Sequence, residues 1–390
     1  MGRGFSYGLI LLLAGVSVPV SADQLLVRFK PAARRALVDP AAAHMAAGAL
    51  LVDQIPRIAV DVVEVADREA ALARYRKDRR VEFVEVDETA YALETPAPLV
   101  TPNDPLWAQQ YGPRLINCPA AWDRTRGNAA VRIVILDTGI DLTHADLRGK
   151  VVGGRDFSGK GTVQDGNGHG THVAGTIAAV TNNGEGVAGV VWDCPLIVGK
   201  VLADSGAGSY SSIAQGIIWA ADHQAWIVSM SLGGSAESQT LQDACRYAYA
   251  KGVMLICAAG NAGAAGSSKS WPAAYAECIA VAAVDANSNR ASFSSWNDDV
   301  EISAPGVAVL APWPISLGRG SYISISGTSM ATPHVAGVAA LIRGARKSLT
   351  TDRVRLLLWG TARDLQTPGF DWHTGAGLLD ASAAVAAAGP

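Results

Sequence analysis

Three residues that lie far apart in the chain are of the types that together activate a serine hydroxyl: Asp137, His169 and Ser329. A serine hydroxyl is a poor nucleophile until a neighbouring imidazole accepts its proton, and a carboxylate must hold that imidazole in the right tautomer. The order Asp, His, Ser along the chain is one in which such triads occur. The pattern predicts acyl transfer with Ser329 as nucleophile, His169 as acid and base, and Asp137 as orienting group.

Each of these side chains lies at a point of the sequence that could present a reactive group. Asp137 follows the apolar run 131–136, which predicts a buried strand with a carboxylate at its carboxyl edge. His169 lies in a glycine-rich loop just before a helix predicted to begin near Thr171. Ser329 lies in the first turn of an Ala- and Val-rich helix, where unpaired backbone N–H groups stabilise an oxyanion. Taken alone, the segment around Ser329 also fits an ordinary helix N-cap. The presence of Asp137 and His169 favours a nucleophile instead.

The segments around these residues resemble the subtilisin-like serine proteases, or subtilases, and are similar to the thermitase branch. The resemblance covers roughly residues 101–385 and rests on three motifs in order: Asp137-Thr138-Gly139, His169-Gly170-Thr171-His172 and Gly327-Thr328-Ser329-Met330-Ala331. It implies a serine endopeptidase with an acyl-enzyme mechanism. The alternative is a catalytically silent subtilase fold used for binding. Loss of a triad residue would indicate that alternative, and none is lost.

The resemblance also implies a second donor to the oxyanion besides the Ser329 backbone N–H. Asn261 ends the segment Ala258-Ala259-Gly260-Asn261, which matches the family at this point. Its side-chain amide would donate to the negative charge that develops during acyl transfer. The alternative for Asn261 is an ordinary turn residue beside glycine.

Segments 206–210 and 231–233 are similar to those with which subtilases hold a peptide as an added strand, a mode that is weakly selective. The S1 pocket, which receives the P1 side chain before the scissile bond, would have 231–233 and 258–260 as its walls. These walls are small or apolar and contain no acidic residue, which predicts broad specificity with apolar or aromatic P1 residues. Segment 264–271 departs from the family, and Ser270 is a candidate for the pocket floor. The implied substrate-binding residues are Gly206, Gly208, Tyr210, Ser231, Leu232, Gly233, Ala258 and Gly260.

Calcium is the cofactor that the resemblance implies, because hard oxygen ligands suit this ion. The predicted ligands are the side chains of Asp104, Asp146 and Asn183 and the backbone oxygens of Thr181, Glu185 and Val187. The alternative is a solvated Asn-Gly turn with N-cap aspartates. A second site of the thermitase type is predicted to be damaged, because Lys160 stands where acidic residues are expected.

Alternating strand and helix patterns must position these residues. Five strands are predicted at 131–136, 196–201, 226–231, 253–258 and 278–283, and four helices at 171–180, 209–222, 238–251 and 332–345. Such alternation predicts the α/β class: a doubly wound, mostly parallel sheet of the subtilisin-like fold, preceded by a small α+β pro-domain. Right-handed crossovers could bring the triad to one edge, and its convergence there is implied by the resemblance.

The N-terminal part is predicted to contain a signal peptide and a pro-domain. Residues 1–22 have a weakly positive start, a short apolar core and a small-residue end, which together direct export with cleavage after Ala22. The apolar core is shorter than the ~20 residues that cross a bilayer. Residues 23–94 show strand, helix and strand patterns at 25–29, 69–75 and 81–86, and they resemble the inhibitory pro-domain of subtilases. The alternative for this segment is a separate domain of unrelated function.

Maturation and location are further expectations. Residues 88–94 would lie in the cleft as a product-like peptide, and the linker 95–101 would carry the maturation cut, placed between Leu93 and Thr101. Residues 102–390 would form the peptidase domain. We expect a secreted or periplasmic, monomeric zymogen that acts on proteins and peptides, with its own pro-domain as intramolecular inhibitor and with no membrane attachment after signal removal.

Composition and cysteine content add two constraints. A net charge of −3 over 390 residues gives no electrostatic reason for a nucleic-acid partner. Export favours disulfides, but the chain has five cysteines, at 118, 194, 245, 257 and 278, in no recognisable framework. Their connectivity therefore stays open from the sequence.

Overall fold

The structure is a computed structural model that describes residues 23–37, 39–87 and 99–389. The chain divides into two compact units, Met1–Thr95 and Pro96–Pro390. The predicted signal peptide, the predicted product-like peptide 88–94 and linker residues 95–98 lie outside the described residues. None of the helices in the described ranges is long and apolar enough to cross a lipid bilayer.

The N-terminal unit is a four-stranded antiparallel sheet with strand order β2-β3-β1-β4. Its elements are β1 (Asp23–Phe29), α1 (Pro31–Ala36), α2 (Pro40–Met45), β2 (Ala49–Ile55), β3 (Val60–Val65), α3 (Arg68–Lys77) and β4 (Val81–Val86). The side chains of Leu25, Leu72 and Tyr75 form part of its core. The sequence predicted β1, α3 and β4 but not α1, α2, β2 or β3. Strand β2 was missed because most of it is exposed and shows no alternation of apolar and polar residues.

The C-terminal unit contains nine strands and eight helices among the described residues. The strands are β5 (Ile133–Asp137), β6 (Val151–Asp156), β7 (Leu196–Lys200), β8 (Ile227–Met230), β9 (Met254–Ala258), β10 (Cys278–Val284), β11 (Val300–Pro305), β12 (Val309–Pro312) and β13 (Tyr322–Ile325). The helices are α4 (Gly112–Leu115), α5 (Cys118–Trp122), α6 (His169–Ala178), α7 (Tyr210–Asp222), α8 (Gln239–Ala250), α9 (Thr328–Ala345), α10 (Thr351–Gly360) and α11 (Ala381–Ala388).

Seven of these strands form one sheet in the order β11-β10-β9-β8-β5-β7-β6, and every neighbouring pair is parallel. Helices α6 and α9 pack on one face within a large apolar core, and α7 and α8 pack on the other face within a second core. All of β5 is buried, as expected for a strand covered on both faces. This architecture confirms the predicted doubly wound α/β class.

Two helices begin earlier than the sequence predicts. Helix α6 begins at His169 rather than near Thr171, so this histidine is the first helical residue and not part of the preceding loop. Helix α9 begins at Thr328, in agreement with the placement of Ser329 in its first turn and not with the predicted start at 332, so Pro333 lies in its second turn. Proline is favoured in the first turn of a helix, which makes a start near Thr332 plausible from the sequence. The contact that accommodates the proline one turn further inside belongs to the site described next.

Candidate active site

The predicted carboxylate and imidazole lie in direct contact. Asp137 is the last residue of β5 and is fully buried, and His169 opens α6 with its side chain about one quarter exposed. The two atoms Asp137 Oδ1 and His169 Nδ1 are 2.7 Å apart. The same oxygen accepts the backbone N–H of Thr138 at 2.7 Å. This contact favours the tautomer with the proton on Nδ1, and it leaves Nε2 free to accept a proton.

The environment of His169 acts on its pKa in two directions. Burial lowers the pKa, whereas the charge of Asp137, the hydrogen bond to it and the charge of Asp165 raise it, and the net result is a pKa above the ordinary value of 6.5. The carboxylate therefore stabilises the imidazolium that forms when His169 accepts a proton from a nucleophile.

Ser329 is the second residue of α9 and is partly exposed. In this structure its hydroxyl donates to the backbone carbonyl of Ser231 at 3.1 Å. Within the described residues no hydrogen bond joins Ser329 to His169, so the structure forms the predicted Asp–His contact but not the Ser–His contact. The Ser329 hydroxyl must turn its hydrogen away from the Ser231 carbonyl before it can donate to another acceptor.

The carbonyl of Ser329 explains how α9 contains a proline. Pro333 has no N–H, so the carbonyl four residues earlier loses its helical partner. The hydroxyl of Ser231, which directly follows β8, donates to that carbonyl at 2.7 Å. Two hydrogen bonds in opposite directions thus join Ser231 and Ser329, and they fix the end of β8 against the first turn of α9.

The side chain of Asn261 lies near the backbone N–H of Ser329. The amide oxygen of Asn261 accepts both the backbone N–H and the hydroxyl of Thr328, each at 3.0 Å. The amide nitrogen takes no part in these two contacts. An ideal Cβ placed on Gly327 would lie 3.6 Å from Asn261 Nδ2 and 3.6 Å from Ser329 N. Both nitrogen atoms thus lie near the position that the glycine leaves without a side chain, and this placement is compatible with the predicted pair of oxyanion donors.

Asp165 is a site residue that the sequence analysis missed. Its buried carboxylate accepts five hydrogen bonds: one from the hydroxyl of Thr138, two from the backbone N–H groups of Asn167 and Gly168, and two from the backbone and hydroxyl of Thr171. It thereby joins the end of β5 to the first turn of α6. The segment Asp165-Gly166-Asn167-Gly168 is typical of a turn. Only the position of Asp165, four residues before the candidate base His169, could have indicated that it supports the site.

The other histidines near the site are buried and do not compete as bases. Burial lowers the pKa of His172 to about 3 and that of His334 to about 4. His172 Nε2 lies 3.0 Å from the carbonyl of Val309 and so joins α6 to β12. His334 Nδ1 lies 2.9 Å from the carbonyl of Met330 within α9. Both residues are structural.

A cleft of about 450 Å³ adjoins His169. It is lined by six of the eight predicted substrate-binding residues: Gly206, Gly208, Tyr210, Ser231, Leu232 and Gly233. Ala258, which is 4% exposed, and Gly260 do not line this cleft. Ser270 lies between the two predicted walls, because its hydroxyl is next to Gly233 and its Cβ is 3.2 Å from an ideal Cβ on Gly260. This position is the one expected for a residue at the floor of an S1 pocket.

The predicted calcium ligands gather around the loop 181–187. Asp104 accepts the backbone N–H of Asn182 at 2.8 Å, and Asp146 accepts that of Val187 at 2.8 Å. Asn183 donates its amide N–H to Asp146 at 3.0 Å, and its amide oxygen accepts the backbone N–H of Glu185 at 2.8 Å. Both carboxylates are buried, and all the donors are hard oxygens. The two buried carboxylates therefore suit a calcium ion, which would replace hydrogen bonds that they accept in this structure.

The second, thermitase-type site has a different arrangement. Lys160 pairs with Asp204 at 3.1 Å, and the buried Lys200 pairs with the same carboxylate at 2.8 Å. Asp156 accepts hydrogen bonds from Ser158 and Gly161 instead. Among the described residues there is no group of three or more His, Cys, Asp or Glu side chains that could hold a metal ion. The ammonium groups of Lys160 and Lys200 thus lie next to the carboxylate of Asp204, near the segment in which the second site is predicted to be damaged.

Two known families match the chain. The family described as "Subtilase family" matches residues 128–377, and the family described as "Fervidolysin N-terminal prodomain" matches residues 21–87. The first match contains all three candidate triad residues. The second covers most of the N-terminal unit.

Individual proteins match in the same region. Thermitase of Thermoactinomyces vulgaris is 45% identical over 277 residues, which is 70% of this chain and 96% of that protein. Subtilisin DY of Bacillus licheniformis is 46% identical over 277 residues, covering 70% and 97% of the two chains. A solved structure described as "Proteases from Pseudoalteromonas arctica PAMC 21717" has a TM-score of 0.67 and 35% identity, covering 74% of this chain and 100% of that one.

The contact between His169 and Asp137 predicts a pH dependence. We expect kcat/KM for a peptide substrate to fall as pH decreases through a midpoint above 6.5, because the raised pKa keeps His169 protonated, and unable to act as a base, up to a higher pH. In Asp137→Asn the midpoint should move to lower pH and kcat should fall by roughly 10⁴-fold, since the neutral amide no longer stabilises the imidazolium. Initial rates between pH 5 and 10 measure both effects. A midpoint that Asp137→Asn leaves unchanged would contradict the assignment.

Proposed function

Because the chain belongs to the subtilase family and is a serine endopeptidase, we propose that Asp137, His169 and Ser329 are its catalytic triad. The predicted family is therefore confirmed, and the alternative of a silent binding protein has no support. The observation that most strongly supports the triad is the 2.7 Å contact between His169 and a buried carboxylate, together with the position of Ser329 at a helix N-terminus. The prodomain match supports synthesis as a zymogen.

The proposed reaction begins when Ser329 turns from the Ser231 carbonyl towards His169. His169 Nε2 accepts the hydroxyl proton while Ser329 Oγ attacks the substrate carbonyl, and the Asp137 carboxylate stabilises the resulting imidazolium. His169 then donates the proton to the leaving amine, which breaks the peptide bond and leaves an acyl-enzyme. A water molecule, deprotonated by the same imidazole, hydrolyses that ester and restores the hydroxyl of Ser329.

Asn261 and the Ser329 backbone N–H are the proposed oxyanion donors. Their nitrogen atoms both lie 3.6 Å from the position of the Cβ that Gly327 lacks, which supports a role for both when negative charge develops on the substrate oxygen. Loss of one such donor from a subtilisin lowers turnover by roughly 10²–10³-fold, which sets the scale for Asn261 here.

Peptides are proposed to bind along the cleft by main-chain hydrogen bonds to segments 206–210 and 231–233. The exposed Gly206 and Gly208 leave room for a backbone to approach, which supports binding as an added strand. The proposed S1 pocket between 231–233 and 258–260 is small or apolar, and Ser270 limits its depth. These features support a broad preference for apolar P1 residues.

The N-terminal unit is proposed to be an inhibitory pro-domain that maturation removes. The prodomain match supports this role, and the unit carries exposed apolar side chains, including Leu50, Val52 and Ile55, of the kind that bind a partner surface. The proposed cut lies between Leu93 and Thr101. Export through the predicted signal peptide would make the mature enzyme a secreted or periplasmic monomer.

Calcium is proposed to bind Asp104, Asp146 and Asn183 together with the carbonyls of loop 181–187. When bound, the ion would neutralise two buried carboxylates and hold the loop to the body of the domain. This role is structural, because none of these residues belongs to the catalytic cleft. Ions that bind only the folded state raise its stability in proportion to the logarithm of their concentration.

The nucleophile is tested by Ser329→Ala. We expect this variant to stay at its full precursor length and to lose casein hydrolysis by on the order of 10⁶-fold, because no other hydroxyl has the same placement. Gel analysis of purified protein and a fluorescent casein assay measure the two effects. Ser324→Ala, an exposed position on β13, is the matched control and should mature normally. A Ser329→Ala protein that still matures and cleaves casein would refute the proposal.

The P1 preference is tested with chromogenic peptides that carry Phe, Leu, Arg or Glu at P1. We expect Phe and Leu to give kcat/KM values at least tenfold above those for Arg and Glu, since the walls offer no charge to pair. Ser270→Gly should raise the ratio of Phe to Leu a few-fold, because it deepens the pocket floor. A dominant rate with Arg would show that the inferred pocket chemistry is wrong.

Calcium binding is tested by thermal unfolding of the inactive Ser329→Ala protein. We expect chelation to lower Tm by several degrees and added calcium, but not magnesium, to restore it, because the site has flexible oxygen ligands. Asp146→Asn should abolish the response. Asp243→Asn, whose exposed carboxylate lies on α8, should retain it. An unchanged Tm after chelation would count against the site.

A further inference from the structure

Three buried thiols gather on one face of the sheet, away from the catalytic residues. Cys245 lies on α8, Cys257 on β9 and Cys278 on β10, and all three belong to the apolar core that α8 covers. The sulfur atoms of Cys245 and Cys278 are 3.9 Å apart. No step of the proposed mechanism uses these residues.

The register of the sheet decides which pair could be joined. Cys278 lies opposite Leu255, and Cys257 lies opposite Ala280, so Cys257 and Cys278 are diagonal neighbours two residues out of register. Strands are about 4.8 Å apart and rise about 3.3 Å per residue, which separates diagonal Cα atoms by roughly 8 Å. A disulfide spans Cα atoms up to roughly 7 Å apart, so the geometry of the two strands excludes this pair. Cys245 lies on α8, which packs over the sheet, so the spacing between strands does not limit its distance from Cys278.

We propose that Cys245 and Cys278 form a disulfide in the mature enzyme and that Cys257 remains a free thiol. Rotation about χ1 of the two cysteines would close the sulfur–sulfur distance from contact to bonding length. The two thiols lose two protons and two electrons to a small-molecule disulfide such as oxidised glutathione, which is reduced to two thiols. This proposal rests on the proposed export, since an oxidising compartment is where such a bond persists.

The bond would close a segment that contains functional residues. Residues 245 and 278 are 33 positions apart, and the chain between them carries the proposed oxyanion donor Asn261 and the proposed pocket floor Ser270. The backbone at Cys278 is already held, because its N–H donates to the Tyr275 carbonyl and its carbonyl accepts a hydrogen bond from Arg355. A link to α8 would restrict this whole segment in the unfolded chain and so stabilise the folded one.

The test uses the full chain with Ser329→Ala, which avoids self-digestion and makes the result independent of activity and export. The protein is folded in a mixture of oxidised and reduced glutathione, and its folded monomer is then denatured and alkylated with or without prior reduction. We expect three alkylated cysteines without reduction and five after it, with a single cross-linked peptide that contains Cys245 and Cys278 by mass spectrometry. Five alkylated cysteines without reduction would overturn the proposal.

Matched variants locate the bond. Cys257→Ser should keep the two-cysteine difference, whereas Cys278→Ser should abolish it. Reduction of the folded protein should lower Tm by roughly 5–10 °C, and Cys278→Ser should remove that response. A cross-linked peptide that contains Cys257, or a difference that Cys257→Ser abolishes, would also overturn the assignment.

Discussion

The carboxyl edge of the seven-stranded parallel sheet is the constraint on which the arrangement of the site depends. Because all neighbouring strands run in the same direction, the chain leaves each of them at the same edge. Asp137 ends β5, Ser231 follows β8, and the segment that leads to Asn261 follows β9. The order β9-β8-β5 makes these strands neighbours in the sheet. Residues more than 100 positions apart in sequence therefore lie at the same edge because their strands are adjacent.

Two helices on the same face complete the arrangement by their first turns. His169 opens α6, and Ser329 lies in the first turn of α9, and both helices pack within the same apolar core. Polar contacts then fix each helix start: Asp165 binds the start of α6 to the end of β5, and Ser231 binds the start of α9 to the end of β8. The positions of the candidate catalytic residues are thus fixed by hydrogen bonds that loop residues make between the strand ends and the two helix starts.

Strong local patterns in the sequence predict the α/β class, about half of the helices and strands, and the candidate site residues. The run before Asp137 is apolar throughout, and the motifs around His169 and Ser329 are specific. Contacts between distant segments could not be predicted in this way. The five hydrogen bonds of Asp165 and the pairing of Lys160 with Asp204 depend on which loops meet, and β6 was missed because its glycines and exposed residues show no strand periodicity.

The missing N–H of Pro333 has a consequence for how this enzyme can be altered. The carbonyl that the proline leaves unpaired is bound by the hydroxyl of Ser231, a residue that also lines the substrate cleft. The proposed substrate-binding wall and the helix that carries the proposed nucleophile are therefore joined through one side chain. If both proposals hold, a substitution of Ser231 would change selectivity and turnover together, and a redesign of the preference would use residues on the opposite wall.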